Sequence, residues 1–406
     1  MSLHFIRIID NLLGGFFCWV LGLFLRLFQI LKPPPPSPDK LKGKAILCQK
    51  YFGMGSIMHI LPIMRVIRRN YPDSRIIFMT LDSNLEAAKL AKIGDEIIAL
   101  NVKSFKGFVS SVFKALIALR RHHIDISFDF EFFAKFTLLV SFLSGAKIRV
   151  GLHMKKIRPD GIITHNVFYN SYKHISEIYL NFAVPLSLKT DLDRSVPLLP
   201  SFKGDFSKNL LNKFKIPENS IKILVNPNCG DLFDYRKWPE EHFVRLINLI
   251  ASSYPEYFFI LIGNKSEEDY TSGISVKVQG NGKRIINLAG KTGMNELFAL
   301  IENADLMISN DSGPLHISSL YGVNIAAFFG PETPVVYGPV NKNSLVFYSH
   351  DKYCSPCLNV YDSKKCLYGE ECLSNTCLSE IIPEDVFKEI DERFLKDFKD
   401  RRASVQ

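Results

Sequence analysis

The chain is expected to fold as an α/β protein of two Rossmann-like halves, each built on a parallel, doubly wound sheet. Short β-rich runs alternate with helical stretches from Ala45 to Val150, and the same alternation restarts at Lys222. The 406 residues exceed the usual size of one domain, so two domains with a cleft between them are expected. Hydrophobic residues make up 47% of the chain and charged residues 22%, enough apolar surface for two cores and too much for a disordered chain.

Before the first half comes an apolar stretch from Phe5 to Leu31, in which Leu12 to Leu25 carry no charge. Those 14 residues would rise about 21 Å as a helix, against a hydrocarbon core of about 30 Å, so a tilted, re-entrant or interfacial helix competes with a full crossing. No small-x-small cleavage site precedes Pro33 to Pro36, so the segment is expected to be a retained anchor rather than a signal peptide. Lys32-Pro-Pro-Pro-Pro-Ser-Pro-Asp-Lys40 should be a stiff spacer, with Lys32, Lys40, Lys42 and Lys44 placed to meet anionic headgroups. The expected organisation is therefore a membrane-associating helix over 1–32 and a Pro-rich linker over 33–43. Rossmann-like domains follow over 44–200 and 206–382, with a C-terminal helix over 383–406. On this reading the anchor is independent of the folded body; the alternative is a helix docked on the protein's own surface.

In the first half, β-runs at 45–49, 75–80, 96–100, 124–130 and 147–150 alternate with helices at 56–70, 84–92, 105–122 and 132–144. The stretch from about Thr190 to Asn219 is irregular and contains prolines, and reads as an interdomain passage. In the second half, β-runs at 222–226, 257–262, 285–288, 306–309 and 324–329 alternate with helices at 240–253, 294–303 and 314–321.

The net charge of +9 suits anionic partners such as phospholipid, sugar nucleotide or phosphorylated glycan. Nucleic acid is set aside as a partner, because the chain has no RNP motif, zinc-finger spacing or basic-zipper repeat. Five of the eight cysteines, Cys354, Cys357, Cys366, Cys372 and Cys377, fall in one C-terminal stretch. An odd cluster in a core-forming chain fits a reducing compartment. Cys354-x-x-Cys357 invites a zinc reading, but the outer spacings are irregular and reduced packing cysteines are expected ahead of a metal site.

Chemistry concentrates in Ser309-Asn-Asp-Ser-Gly-Pro-Leu-His316 and Phe328-Phe-Gly-Pro-Glu-Thr-Pro334, both at strand C-termini. Ligands of open α/β sheets bind there, and Ser312 and Gly313 at a helix start offer N–H groups and a positive dipole end to a diphosphate. Asp311 and His316 fit the same pocket. An Asp or Ser ahead of a helix is often only a cap, but a cap needs neither His316 one turn on nor a second Gly-Pro-x-Thr-Pro loop.

With Arg236-Lys-Trp-Pro239, these runs resemble the donor-side signature of glycosyltransferase family 9, which includes the ADP-heptose:lipopolysaccharide heptosyltransferases. The resemblance spans nearly everything after residue 44. It implies a GT-B fold with an acceptor domain followed by a donor domain, and an inverting, metal-independent transfer without a cofactor. The donor would be a nucleotide sugar such as ADP-heptose, the acceptor a lipid-linked glycan, and the place the cytoplasmic face of the inner membrane. By the resemblance, Arg236 meets the donor phosphates, Glu267 the ribose and Met294 the base, while Asp311, Ser312, Gly313 and His316 form the donor loop. A GT-B sugar-nucleotide epimerase and a donor-binding scaffold at the membrane are the competing readings.

One departure matters. The family's first loop carries Gly-Asp, whose carboxylate is taken as the acceptor's base, and here Phe52-Gly-Met-Gly-Ser-Ile-Met-His59 places Ser56 there. A lone serine hydroxyl is a poor base. Glu131, in Asp129-Phe-Glu131, gains a carboxylate where the family shows Gln, so it is expected to take the role, with Asp129 and His59 as alternatives; pairing of Glu131 with Lys135 would be the structural outcome. Ser56, Lys135, Lys155, Lys156 and Arg158 are the expected acceptor contacts, and Arg65, Arg68 and Arg69 are expected on a solvated or membrane-facing helix surface.

Overall fold

The computed structural model describes residues 10–28, 45–132, 134–153, 162–192, 197–230, 236–279, 284–352, 354–357 and 376–403. Two compact units result, residues 1–198 and 199–406. The proposed linker, Lys155, Lys156, Arg158, Cys366 and Cys372 lie outside the described residues.

In the first unit, strands β1 (Ala45–Gln49), β2 (Arg75–Leu81), β3 (Glu96–Leu100), β4 (Ile126–Asp129), β5 (Ile148–His153) and β6 (His165–Phe168) form one sheet. Its order is β3-β2-β1-β4-β5-β6, with every pairing parallel. Helices α2 (Met54–Asn70), α3 (Leu85–Leu90), α4 (Phe105–His122) and α5 (Phe136–Leu143) make the crossovers, and α6 (Ile175–Leu180) follows β6. The order reverses beside β1, and the register pairs Gln49 with Asp129. The segments that leave β1 and β4, Lys50 to Phe52 and Phe130 to Glu131, therefore share one sheet edge, where such folds hold ligands.

The N-terminal segment is a π-helical turn, Asp10–Gly14, continued by α1 (Gly15–Phe28). It is not the independent tether expected from the sequence. Asp10 accepts the backbone N–H groups of Lys135 at 2.9 Å and Phe136 at 2.7 Å, so it satisfies the exposed donors at the start of α5. Cys18 is buried with Leu138 and Ile162, and Leu21, Leu139, Phe142 and Ile163 close around them. Among the described residues no helix is long and apolar enough to cross a membrane. The α2 arginines lie at a solvated helix surface, as expected, and each also contacts its own domain. Arg65 donates to the Pro197 carbonyl, Arg68 pairs with Asp95 and Arg69 pairs with Asp191 at 2.9 Å.

The second unit repeats the plan with β7 (Lys222–Asn226), β8 (Phe258–Leu261), β9 (Ile285–Asn287), β10 (Leu306–Asn310), β11 (Asn324–Phe329) and β12 (Ser344–Tyr348). The order β12-β11-β10-β7-β8-β9 is again parallel throughout. Its helices are α7 (Asp205–Lys213), α8 (Glu240–Ser253), α9 (Glu268–Lys277), α10 (Met294–Glu302), α11 (Gly313–Tyr321) and α12 (Pro334–Tyr337). Helix α7 lies inside the stretch read as an irregular passage, and β12 and α9 had no counterpart in the sequence reading. The C-terminal helical segment packs on this unit, where Val386, Ile390, Phe394, Leu395 and Phe398 join the core built by Trp238, Phe243, Ile247 and Ile250. Reversal of the order between β7 and β10 puts the crevice at the ends of those two strands.

Candidate functional site

The loops leaving β7, β10 and β11 meet at the carboxyl edge of the second sheet. Asp311 follows β10, Arg236 lies in the loop between β7 and α8, and His316 stands on the first turns of α11. Arg236 Nη1 reaches Asp311 Oδ2 at 3.1 Å while Nη2 donates to the Cys229 carbonyl at 2.8 Å. His316 Nε2 is 3.3 Å from Asp311 Oδ1. Burial alone would raise the Asp311 carboxyl, but the hydrogen bond from His316 and the charge of Arg236 overcome it and hold the group below the ordinary carboxylate range. Burial likewise works against the Arg236 cation and is outweighed, chiefly by Asp311. Asp311 thus fixes a guanidinium and an imidazole at the mouth of a helix N-terminus.

A layer of buried amides holds these groups. Asn310 accepts from the Trp238 N–H at 2.9 Å and donates to the Pro227 carbonyl at 2.8 Å, which clips both ends of the Arg236 loop to β10. Asn226 donates to Ser312 Oγ at 2.8 Å, and Ser309 Oγ lies 3.0 Å from the same hydroxyl. Trp238 stacks on Phe328, centroids 4.1 Å apart, and its indole N–H donates to the Ile381 carbonyl. Sequence reasoning missed Asn226, Asn228 and Asn310; the signal was Asn-Pro-Asn at a strand end, where a polar run inside a buried sheet needs partners.

Glu332 was also missed. It is part-buried in the loop after β11, and burial, followed by repulsion from Asp311, pushes its carboxyl up to about 8, with Arg236 pulling the other way. Behind this loop stands the cysteine segment: Cys357 donates its N–H to the Pro331 carbonyl at 3.0 Å and Ser355 Oγ donates to the Gly330 carbonyl at 2.6 Å. A Cβ on Gly330 would lie 2.8 Å from Cys377 Sγ. Cys354 is a free thiol, and the described residues contain no group of three metal-ligating side chains suited to an ion.

Glu267 closes a capping box with Asn264 at the end of β8, its Oε2 accepting the Asn264 N–H at 2.7 Å. Met294 opens α10 and is part-buried rather than core. Both stand on the same sheet edge as Arg236 and Asp311.

In the first unit, Gly53 has φ of +80°, a left-handed conformation that favours glycine, and α2 starts one residue later with Ser56 in its first turn. Glu131 is 2% exposed, and its Oε1 accepts the N–H groups of Tyr51 and Phe52, the latter at 3.0 Å, and meets Lys50 Nζ at 3.0 Å. The ion pair is thus with Lys50 and not with Lys135. Asp129, fully buried, accepts from the Glu131 N–H at 3.1 Å and the Thr137 hydroxyl at 2.7 Å. His59 is buried one turn after Ser56, edge-on to His174 with centroids 5.5 Å apart. Lys135 is the N-cap residue of α5.

The description of glycosyltransferase family 9 (heptosyltransferase) matches residues 118–368, well over half of the chain. The chain belongs to glycosyltransferase family 9. It is 24% identical over 342 residues to lipooligosaccharide heptosyltransferase 2 of Campylobacter jejuni, covering 83% of this chain and 94% of the relative. It is 23% identical over 349 residues to lipopolysaccharide heptosyltransferase 3 of Escherichia coli, covering 82% and 96%. The solved structure of Escherichia coli ADP-heptose lipopolysaccharide heptosyltransferase II superposes with a TM-score of 0.67 at 18% identity, covering 87% of this chain and 99% of that one. Two parallel six-stranded sheets match that architecture. As a family 9 member the protein is a glycosyltransferase, and membership favours a transferase over the epimerase and the donor-binding scaffold.

Proposed function

We propose that the protein transfers heptose from ADP-heptose, with inversion, to a lipid-linked core glycan of the lipopolysaccharide type at the cytoplasmic face of the membrane. The observation that carries this reading is the Arg236–Asp311–His316 cluster at the N-terminus of α11, in a chain whose relatives are named as heptosyltransferases. A guanidinium and helix N–H groups suit the two phosphates, and Glu267 and Met294 on the same edge suit ribose and base. His316, held by Asp311, supplies a donor to the leaving phosphate oxygen as the glycosidic bond breaks. Lys155, Lys156, Arg158 and Lys135 remain the proposed acceptor contacts, with Ser56 lining the first loop.

The base that activates the acceptor hydroxyl is better sought in His59 than in Glu131. The Glu131 carboxylate is engaged by a lysine and two backbone N–H groups, and Asp129 by Thr137 and Glu131; both act as braces for the Tyr51–Ser56 loop. An imidazole one turn behind Ser56 accepts a proton near neutral pH. Incubation with ADP-heptose and a heptose-deficient lipid-linked core should release ADP and add one heptose to the glycan by mass spectrometry. His59→Ala should lower turnover on the order of 10²-fold with donor affinity kept. ADP release without a mass gain on any core acceptor would refute the transfer reading, and full turnover in His59→Ala would return the base to Asp129 or Glu131.

A further inference from the structure

Helix α5 lies between two helices that both show apolar rows to solvent. Phe136 and Val140 of α5 pack into the cluster that holds Phe108, Val112 and Leu116 of α4, while Leu138, Leu139 and Phe142 pack toward α1. Against that buried side of α4, Phe105, Val109, Phe113 and Ile117 are exposed, a row at spacing four along one flank of the helix. Phe113 is 66% exposed. Lys106 and Arg120, seven residues either side of Phe113, fall on the same face and are exposed as well. Along the π-helical turn and α1, Gly14 and Cys18 turn to the domain, and Leu12, Phe16, Trp19, Val20 and Leu23 turn to solvent. Among the described side chains of α1, Cys18 is buried while Phe16, Phe17, Trp19, Val20 and Leu23 remain exposed, and an apolar helix face calls for a cover.

We propose that the exposed rows of α4 and α1 form one monotopic docking face for an anionic phospholipid surface, with α4 an insertion element in its own right. Three features favour lipid over a second protein copy. Cations are interleaved with the aromatic row, the whole chain is net positive at +9, and α1 shows Phe16, Trp19 and Leu23 to solvent while among the described residues no helix is long and apolar enough to cross a bilayer. Phe105 and Phe113 enter the acyl boundary while Lys106 and Arg120 meet headgroup phosphates. This inference rests on the membrane localisation proposed above but not on the donor or acceptor assigned there.

Flotation of the full-length protein with phosphatidylethanolamine–phosphatidylglycerol vesicles, beside phosphatidylcholine vesicles, tests it. Phe105→Ser with Phe113→Ser should lower binding to the anionic vesicles at least about tenfold, from the apolar surface removed, and leave ADP affinity unchanged. Unchanged flotation overturns the α4 assignment, and equal flotation on both vesicle types overturns the anionic one. Loss of an oligomer in light scattering with flotation kept would make the row a contact between copies. Should the double variant melt early, Lys106→Glu with Arg120→Glu decides, since it leaves the packed side of α4 intact: retained flotation overturns the proposal. Phe16→Ser with Trp19→Ser probes α1 separately, so failure of α4 and failure of membrane localisation give different patterns.

Discussion

Each sheet edge carries a carboxylate paired to a cation, and the two pairs are built for different ends. In the first unit Lys50 and Glu131 are each 3% exposed at the side chain, and Glu131 also takes two backbone N–H groups. In the second, Arg236 retains 17% exposure beside Asp311 at 9%, with His316 on the carboxylate's other oxygen. The first pair is closed on itself and fixes a loop. The second leaves a guanidinium edge less enclosed beside an imidazole and a helix N-terminus, as the proposed donor role requires. Charge pairing alone therefore does not mark a site; what distinguishes the two is how much of the cation is left for a ligand.

The largest expected effect sharpens this contrast on the closed side. Glu131→Ala leaves Lys50 as an uncompensated buried charge and should cost about 3–5 kcal/mol of stability in denaturant unfolding. A change below about 1 kcal/mol would show that the pair is not structural. On the open side, Arg236→Ala should weaken ADP binding about 10- to 100-fold by calorimetry, the scale of a charged hydrogen bond, with a much smaller change in melting temperature. If Arg236→Ala unfolds the protein while Glu131→Ala spares it, the comparison is inverted.

A smaller effect is expected from Asp10→Ala, which uncaps α5 and should cost about 1 kcal/mol, read as a lower melting temperature of the full-length protein. The smallest concerns Glu332. Its folded-state carboxyl titrates at about 8 against an ordinary 4.5, so the unfolded chain binds fewer protons between those values and stability should fall as pH rises through that window. The same ionisation adds negative charge beside Asp311, so ADP affinity should drop a few-fold on the alkaline side. Glu332→Gln should flatten both pH profiles, and unchanged profiles would place the carboxyl outside the donor's field.

Much of this was legible in the sequence. Both series of buried strands were, because parallel strands read as continuous apolar runs. Strand β12 was not: it is an edge strand with only Phe347 buried, so its pattern is weak. Helix α7 hides among prolines with Ser207, Leu210 and Leu211 as its only buried residues. The meeting of Asp311 with His316 was readable because the two lie in one short run of sequence. The ion pair of Glu131 was hidden for the opposite reason. Its partner Lys50 is far away in sequence and joins it only through the pairing of β1 with β4, whereas Lys135 is four residues away but Glu131 is not in a helix, so the spacing brings no contact.

Asp10 has a practical consequence for anyone preparing this enzyme. Trimming an apolar N-terminus is the ordinary route to a soluble sample. Here the cut would remove the acceptor for the Lys135 and Phe136 N–H groups, and Thr137, the next residue, holds Asp129, which holds Glu131, which holds the backbone of Tyr51 and Phe52. Activity lost in a trimmed sample would therefore be ambiguous between a missing lipid contact and a slackened first loop. Single substitutions on the outward face of α1 leave that chain of hydrogen bonds whole, and are the safer way to gain solubility.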